Sequence, residues 1–308
     1  MSLSTSVYYR LKPVIPRRVQ LGLRRSLAAR RRAANAGVWP VLESAAAPPP
    51  GWAGWPDGKA FALVLTHDVE SAAGQDKCRA LMALEKELGF VSSFNFVPER
   101  YPVSRALRQQ LVANGFEVGV HGLNHDGKLF SSEDEFRQRA GKINDYARQW
   151  GARGFRAPAM HHNLAWIGRY LDVDYDLSTF DTDPFEPQAD GVGTIFPFVV
   201  QGPNGRSYVE MPYTLPQDHG LFIILGETDI DIWRRKLRWI AGQGGMALLN
   251  VHPDYMRFDD GPLGPEEFPA AYYADFLRTL QEEYSGRYWH ALPRQVADFI
   301  SGRQSDHE

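Results

Sequence analysis

The sequence predicts an α/β fold whose strands form a parallel sheet, open or closed into a barrel. Two observations carry this expectation. From Ala60 onward, short apolar runs alternate with stretches of helical period, which is the pattern of strand–helix–strand units. Side chains able to do chemistry stand immediately after several of those runs, and in parallel α/β folds the C-terminal strand ends converge on one site.

The elements follow in chain order. Pro16 suits the first turn of a helix reaching Ala34, along which Val19, Leu23 and Leu27 recur every four residues. Arg17, Arg18, Arg24, Arg25, Arg30, Arg31 and Arg32 crowd the rest of its surface. The run AAAPPPG at 45–51 breaks any helix and reads as a linker. FALVLT (61–66) is the first strand, a helix over 76–88 stops at Gly89, and FVSSFNFV (90–97) is a strand ended by Pro98. A helix over 104–113 stops near Asn114 and Gly115, and FEVGV (116–120) is the next strand. Residues 131–150 form a long helix with Ser131 or Ser132 as N-cap and Gly151 past its end. After GFRAP a helix covers 163–170, and two extended runs between Thr194 and Pro212 meet at GPNG as a hairpin. A helix over 229–242, the strand MALLNV (246–251), and helices over 265–284 and 292–301 complete the chain, with no internal repeat.

A length of 308 residues suggests two domains at about 150 residues each, yet one α/β barrel commonly uses about 250. The hydrophobic fraction of 44% and charged fraction of 23% are those of a globular protein with a sizeable core. The net charge of −3 is unevenly spread: residues 1–50 sum to +8 and the remainder to −11. This excludes a uniformly basic nucleic-acid binder and sets the N-terminal segment apart. The expected organisation is a basic helical arm with a Pro-rich linker over 1–50 and a catalytic domain over 51–308. Cys78, the one cysteine, makes no intramolecular disulfide, zinc finger or CxxC pair. No apolar run approaches the roughly 18 residues that span a bilayer, and the N-terminus lacks an uninterrupted apolar signal core. A cytoplasmic location is therefore expected. The arm then either packs on the acidic body or lies at the inner face of the membrane, drawn to anionic lipid at about 1 kcal/mol per cation. Oligomeric state is not readable from the sequence.

The polar constellation is more specific. Asp68 and Glu70 follow the first strand, His121 and His125 follow FEVGV, Arg156 follows Gly154 and Phe155, and His252 follows MALLNV. Extended backbone places residues i and i+2 on one side, so Asp68 and Glu70 face one pocket while His67 turns away as a structural histidine. Two like charges so close resist joint ionisation without a cation beside them. The i, i+4 spacing of His121 and His125 allows both rings on one face of a helical turn, and a carboxylate with two imidazoles is a common set for a catalytic divalent metal. A lone HxxxH is more often a surface helix turn; four strand ends supplying carboxylate, imidazole and guanidinium favour the metal reading. His161 and His162 read as turn histidines, and His219, His290 and His307 have no partners in sequence.

These residues resemble the polysaccharide deacetylases of the NodB-homology type, carbohydrate esterase family 4, over roughly residues 60–295. LTHDVE (65–70) resembles the first motif, VHGLNH (120–125) the His-x-x-x-His metal motif, FRAP (155–158) the Arg-x-Pro motif and LNVH (249–252) the closing Leu-x-x-His motif, in the same order. The first motif departs from the adjacent aspartates of many members and is nearest the subgroup with a second acid two residues on, where Glu70 stands in place of aspartate. The resemblance implies a distorted (β/α) barrel and a divalent metal, zinc first with cobalt, nickel or manganese as substitutes, held by Glu70, His121 and His125. It further implies Asp68 as general base, Arg156 as its partner, His252 as general acid, Leu249 lining the acyl pocket and a backbone N–H near Ala159 facing the oxyanion. Asp176 and the Asp183-Pro184-Phe185 turn are the candidates for the fourth, Asp-containing motif. The implied substrate is an N-acylated carbohydrate. Two alternatives stand beside it: a hydrolase of a small cyclic imide or ureide on the same fold, and a catalytically inactive carbohydrate-binding relative. Trp150, Trp166, Trp233 and Trp239 suit sugar stacking or core packing equally.

Overall fold

The computed structural model describes residues 17–302; Pro16 and His307, considered above, lie outside them. Its strands are β1 (Phe61–Val69), β2 (Ser93–Phe96), β3 (Glu117–His121), β4 (Gly154–Arg156), β5 (Tyr175–Asp176), β6 (Phe198–Gln201), β7 (Ser207–Glu210), β8 (Met246–Val251), β9 (Met256–Arg257), β10 (Phe268–Pro269) and β11 (Tyr288–His290). Its helices are α1 (Arg17–Ala34), α2 (Ala72–Glu87), α3 (Arg105–Ala113), α4 (Glu133–Trp150), α5 (Leu164–Tyr170), α6 (Asp231–Gln243), α7 (Ala270–Tyr284) and α8 (Pro293–Ser301).

The sheet is organised about β1, whose residues are buried throughout. A strand covered on both faces must be largely apolar on both, which is why it reads as a continuous run rather than an alternation. One edge of β1 pairs with β8. The other edge is shared, its N-terminal part by β11 and its C-terminal part by β2. From β2 the parallel pairing continues through β3, β4, β5 and β7, with β6 antiparallel on β7 across the GPNG turn. Past β7 the chain returns to β8: the Thr214 and Leu215 N–H groups donate to Leu248 O, and Leu215 bridges Leu249. The result is a curled parallel sheet that meets itself through one bridge, the distorted barrel expected from the sequence.

The helix starts follow local chemistry. Ser71, Ser104 and Ser132 cap α2, α3 and α4 by accepting from backbone N–H groups three residues on. Gly151 ends α4 at φ 67°, a conformation that glycine adopts without a Cβ penalty. Several elements differ from the sequence reading in extent. β1 runs on to Val69, so Asp68 lies within the strand. β4, β5 and β11 hold three, two and three residues, too few for a periodic signal. Helix α7 starts at Ala270 rather than 265, because Phe268 and Pro269 pair with β9 instead.

The basic arm is docked on the body. Leu21 and Ala28 of α1 are buried, Arg25 Nε donates to Ile223 O at 3.0 Å, and Arg32 pairs with Glu227. These contacts fall on, and just past, a π-helical segment, His219–Leu225, that the sequence did not announce. Val19, Leu23 and Leu27, the apolar row read from the sequence, are exposed. The Pro-rich stretch joins no separate body, since Trp39 and Ala45 are buried and the Ile195 N–H donates to Ala45 O at 3.1 Å. Among the described residues no helix is long and apolar enough to cross a membrane.

Lys236 of α6, fully buried, donates to both the Asp181 carboxylate and Pro40 O, tying this N-terminal segment to the barrel. Removing one member of a buried pair leaves an uncompensated charge and costs about 3–5 kcal/mol. Lys236→Met should therefore lower the denaturant-unfolding free energy by that order, and Lys236→Met with Asp181→Leu should recover much of it.

Candidate active site

The C-terminal ends of β2, β3 and β4 each bring one group toward Asp68, and β8 brings two, Asn250 within the strand and His252 just past it. Asn95 is its register partner on β2 and donates Nδ2–H to Asp68 Oδ1 at 3.0 Å. Asn250 of β8 donates Nδ2–H to Asp68 Oδ2, also at 3.0 Å. Opposite Asn95 on β3 stands Gly119, where a Cβ would fall 2.1 Å from Asn95 Oδ1; only glycine leaves the amide its place. Arg156 of β4 is wholly buried, donates Nη2–H to Thr66 Oγ1 at 2.9 Å, and brings Nε to 3.5 Å from Asp68 Oδ1. Burial pushes the Asp68 carboxyl up, but His121, Arg156 and His252 with the Asn95 amide hold it below the usual range.

The histidine pair is built differently from the sequence expectation. His121 ends β3, and the chain then folds back through a loop rather than a helical turn. Gly122 makes the bend at φ 60°, where a Cβ would meet Pro158 Cγ at 2.5 Å. His125 itself sits at φ 54°. The loop closes the pair onto Glu70, and one ligand atom from each of Glu70, His121 and His125 lies within 4.8 Å of the others. His121 Nδ1 lies 3.1 Å from Arg156 O, a pure acceptor, which assigns the proton to Nδ1 and leaves the Nε2 lone pair toward the site. His121 Nε2 and His125 Nε2 are buried without a hydrogen-bond partner, although His125 Nε2 lies 2.9 Å from Glu70 Oε1. That contact distance without hydrogen-bond geometry, beside two orphaned imidazole nitrogens, fits a divalent cation. Burial drives His121 down to about 4, so it is the neutral imidazole a metal needs. Glu70 is fixed from behind, its N–H donating to Asp254 Oδ2 and its Oε2 accepting from Tyr255 at 3.2 Å.

His252 completes the pocket. Asp218 accepts both its backbone N–H and its Nδ1–H at 2.7 Å, which aims Nε2 at the site, 4.0 Å from Asp68 Oδ2 and from Glu70 Oε1. Burial opposes the imidazolium, but the charge and hydrogen bond of Asp218, then Glu70 and Asp68, raise it to about 10.

Asp218, and neither Asp176 nor Asp183, is thus the carboxylate on His252. Asp176 is buried on β5, accepting from Ser178 at 2.5 Å and in register with Glu210. Asp183 accepts from Tyr213 at 2.9 Å and from the Phe185 N–H. It joins the site only by relay: Tyr213 Oη also lies 3.0 Å from Glu186 Oε1, Gln217 bonds Glu186 and Asn250, and Asn250 holds Asp68. Leu249 does not face Asp68, because Asn250 does and strand alternation turns Leu249 to the opposite face, buried in the core. Ala159 lies exposed in a tight turn at φ 54°, a left-handed conformation uncommon for a residue with a Cβ. Beside it, His161, Pro158, Phe130 and Arg139 line a narrow groove next to His125. His67 is structural as expected, bonded to Glu85 at 2.9 Å. Trp233 is core, and Trp239 bonds Glu43.

Asn95, Asn250 and Asp218 were missed. The first two carried a readable signal, a lone amide inside otherwise apolar strands (FNF and LLNV). Asp218 had none, since the chain before it reaches β8 by a single bridge. His219, set aside in the sequence, packs on the Tyr255 ring at 5.0 Å, one step from Glu70 and His252.

No family model and no curated protein matches this chain. Solved structures do. A candidate polysaccharide deacetylase from Mycobacterium smegmatis is 20% identical over 81% of this chain and 93% of its own, with a TM-score of 0.62. The Puue allantoinase is 14% identical over 81% and 93%, at 0.60, and a candidate polysaccharide deacetylase from Pseudomonas aeruginosa PAO1 is 15% identical over 82% and 95%, at 0.58. At these identities the likeness is one of fold: the chain has the barrel of the polysaccharide deacetylases.

Two outcomes follow from the geometry. Gly119→Ala should displace the Asn95 amide from Asp68 and cost about 1–3 kcal/mol in thermal or denaturant unfolding. Burial pushes Glu186 up to about 8, with Asp183 adding to it, and pushes Asp183 up to about 6. Both folded values exceed the ordinary carboxylate value of about 4, so the fold prefers the protonated forms of this pair, and the pair's contribution to stability is lost as pH rises from about 4 to about 8. Unfolding measured across that window should show a shallower loss for Glu186→Gln.

Proposed function

We propose that this chain is a metal-dependent hydrolase that removes an N-acyl group, N-acetyl first, from an amino sugar in a polysaccharide, glycolipid or sugar precursor. The observation that carries this reading is the meeting of three parts in one buried pocket. They are an ionised carboxylate held by two amides and a guanidinium, a two-histidine-one-carboxylate cradle, and an imidazole backed by its own carboxylate.

Glu70, His121 and His125 would hold the divalent ion, zinc first. When bound, such an ion polarises the acyl carbonyl and lowers the pKa of water. Asp68 then takes a proton from the attacking water as the new C–O bond forms. Its two oxygens already rest on Asn95 and Asn250, so the base is oriented before substrate arrives. Arg156 stabilises its negative form and acts as a positioning residue. As the C–N bond breaks, His252 gives its Nε2 proton to the departing amine, while Asp218 keeps Nδ1–H in place and stabilises the cation. The left-handed turn at Ala159 stands beside His125 and would offer a backbone N–H to the developing oxyanion.

A second reading, hydrolysis of a cyclic amide or ureide by the same groups, is favoured by the allantoinase, whose fold likeness equals that of the deacetylases. The intact Asp68 and His252–Asp218 geometry weighs against a catalytically inactive relative.

Acetate release should be followed for N-acetylated sugars and sugar nucleotides, and ring opening for cyclic ureides, each with and without added Zn²⁺ or Co²⁺. A chelator should abolish turnover and the metal should restore it. Asp68→Asn should retain bound metal yet lose about 10²–10⁴-fold in kcat. Full activity after complete metal removal would overturn the metal assignment, and turnover of ureides alone would select the second reading.

A further inference from the structure

Helix α1 is arranged inside out for a surface helix. Such helices turn an apolar stripe to the core and their charges to water. Here Gln20, Leu21 and Ala28 are buried and Arg24, Arg31 and Arg32 are half-buried. The outward face carries Val19, Leu23 and Leu27, exposed by 51, 57 and 50%. The small residues Gly22, Ser26, Ala29 and Ala33 extend that face, and Arg30 lies within it, all exposed. A contiguous apolar patch of this kind marks an interaction site.

A second feature adjoins it. Between α1 and the π-helical segment runs a cavity of about 320 Å³, walled by Ala29, Ala33, Ile224 and Leu225 and flanked by Arg25 and Arg32. Apolar walls under two guanidiniums suit a molecule with a hydrocarbon part and an anionic head. Charge points the same way. Residues 1–50 sum to +8. Among the described residues Arg32 has a carboxylate partner, Glu227. Arg25 and Arg31 donate to backbone carbonyls instead. A second copy offering the same helix would bring two arms of net charge +8 together, whereas an anionic bilayer complements that charge at about 1 kcal/mol per cation that reaches its surface.

We propose that α1 docks this protein on a bilayer containing anionic phospholipid. Val19, Leu23 and Leu27 enter the interface, Arg30 and the flanking guanidiniums meet the phosphates, and the groove beside Ile224 and Leu225 accepts part of a lipid. The helix rests on the segment that begins directly after Asp218, so docking brings the membrane to the element that carries the partner of His252. The inference stands apart from the hydrolase reading and is tested without it.

The test is co-sedimentation of the full chain with vesicles of phosphatidylcholine alone and of phosphatidylcholine mixed with phosphatidylglycerol. Binding should require phosphatidylglycerol and weaken as salt shortens the Debye length. Val19→Ser/Leu23→Ser/Leu27→Ser should reduce it by about tenfold or more, with the melting temperature unchanged. Arg30→Gln, which leaves the apolar row intact, should weaken binding to the anionic vesicles as well, and decides the matter if the triple variant is destabilised. Equal binding to both vesicle types, no binding to either, or vesicle binding unmoved by both variants would overturn the proposal. So would a dimer in solution that the triple variant dissolves, which would make this face a contact between copies.

Discussion

Asp68 is a carboxylate 2% exposed on a strand covered on both faces, where an uncompensated charge would cost several kcal/mol. Much of the surrounding structure answers that cost. Two strand amides each satisfy one oxygen, a buried guanidinium stands beside it, and two imidazoles lie about 4 Å away. The same groups that keep the carboxylate charged also orient it. Stabilising the ion and preparing a base are one arrangement here.

That arrangement needs strands in a particular order. Asn95 reaches Asp68 because β2 pairs with the C-terminal part of β1, and Gly119 lets it lie across β3. Had β2 run along the whole edge, β11 would have no place on the sheet. The shared edge therefore both distorts the barrel and frees the strand ends at which the site forms. Backbone strain collects nearby, with His125, which lines the groove, and Ala159 and Met160, which lie between its lining residues Pro158 and His161 in the chain, all at positive φ.

The arm shows that composition and orientation are separate facts. Seven arginines on one helix suggest a charged outer surface, yet the described ones among them largely face or flank the body, where carbonyls and Glu227 receive them. The apolar row is left outside. Periodicity reveals that a helix has two faces but not which of them finds the core.

The sequence by itself determined the fold class and most of the chemistry. A strand buried on both faces must be continuously apolar, helix starts need serine caps, and Asp68, Glu70, His121, His125, Arg156 and His252 stand out because polar groups at strand ends have few structural reasons to be there. The tertiary structure decided what depends on contacts between distant segments. It chose Asp218 over Asp176 and Asp183, because Asp218 reaches His252 only once Thr214 and Leu215 close on β8. It exchanged Leu249 for Asn250 through the alternation of one strand. It also made His121 and His125 converge by a loop rather than a helical turn, since Gly122 has to pass Pro158 at a distance no side chain allows. Local periodicity and capping act over a few residues and can be read along the chain; a side chain's partner is set by which strands meet, and that is a property of the folded sheet.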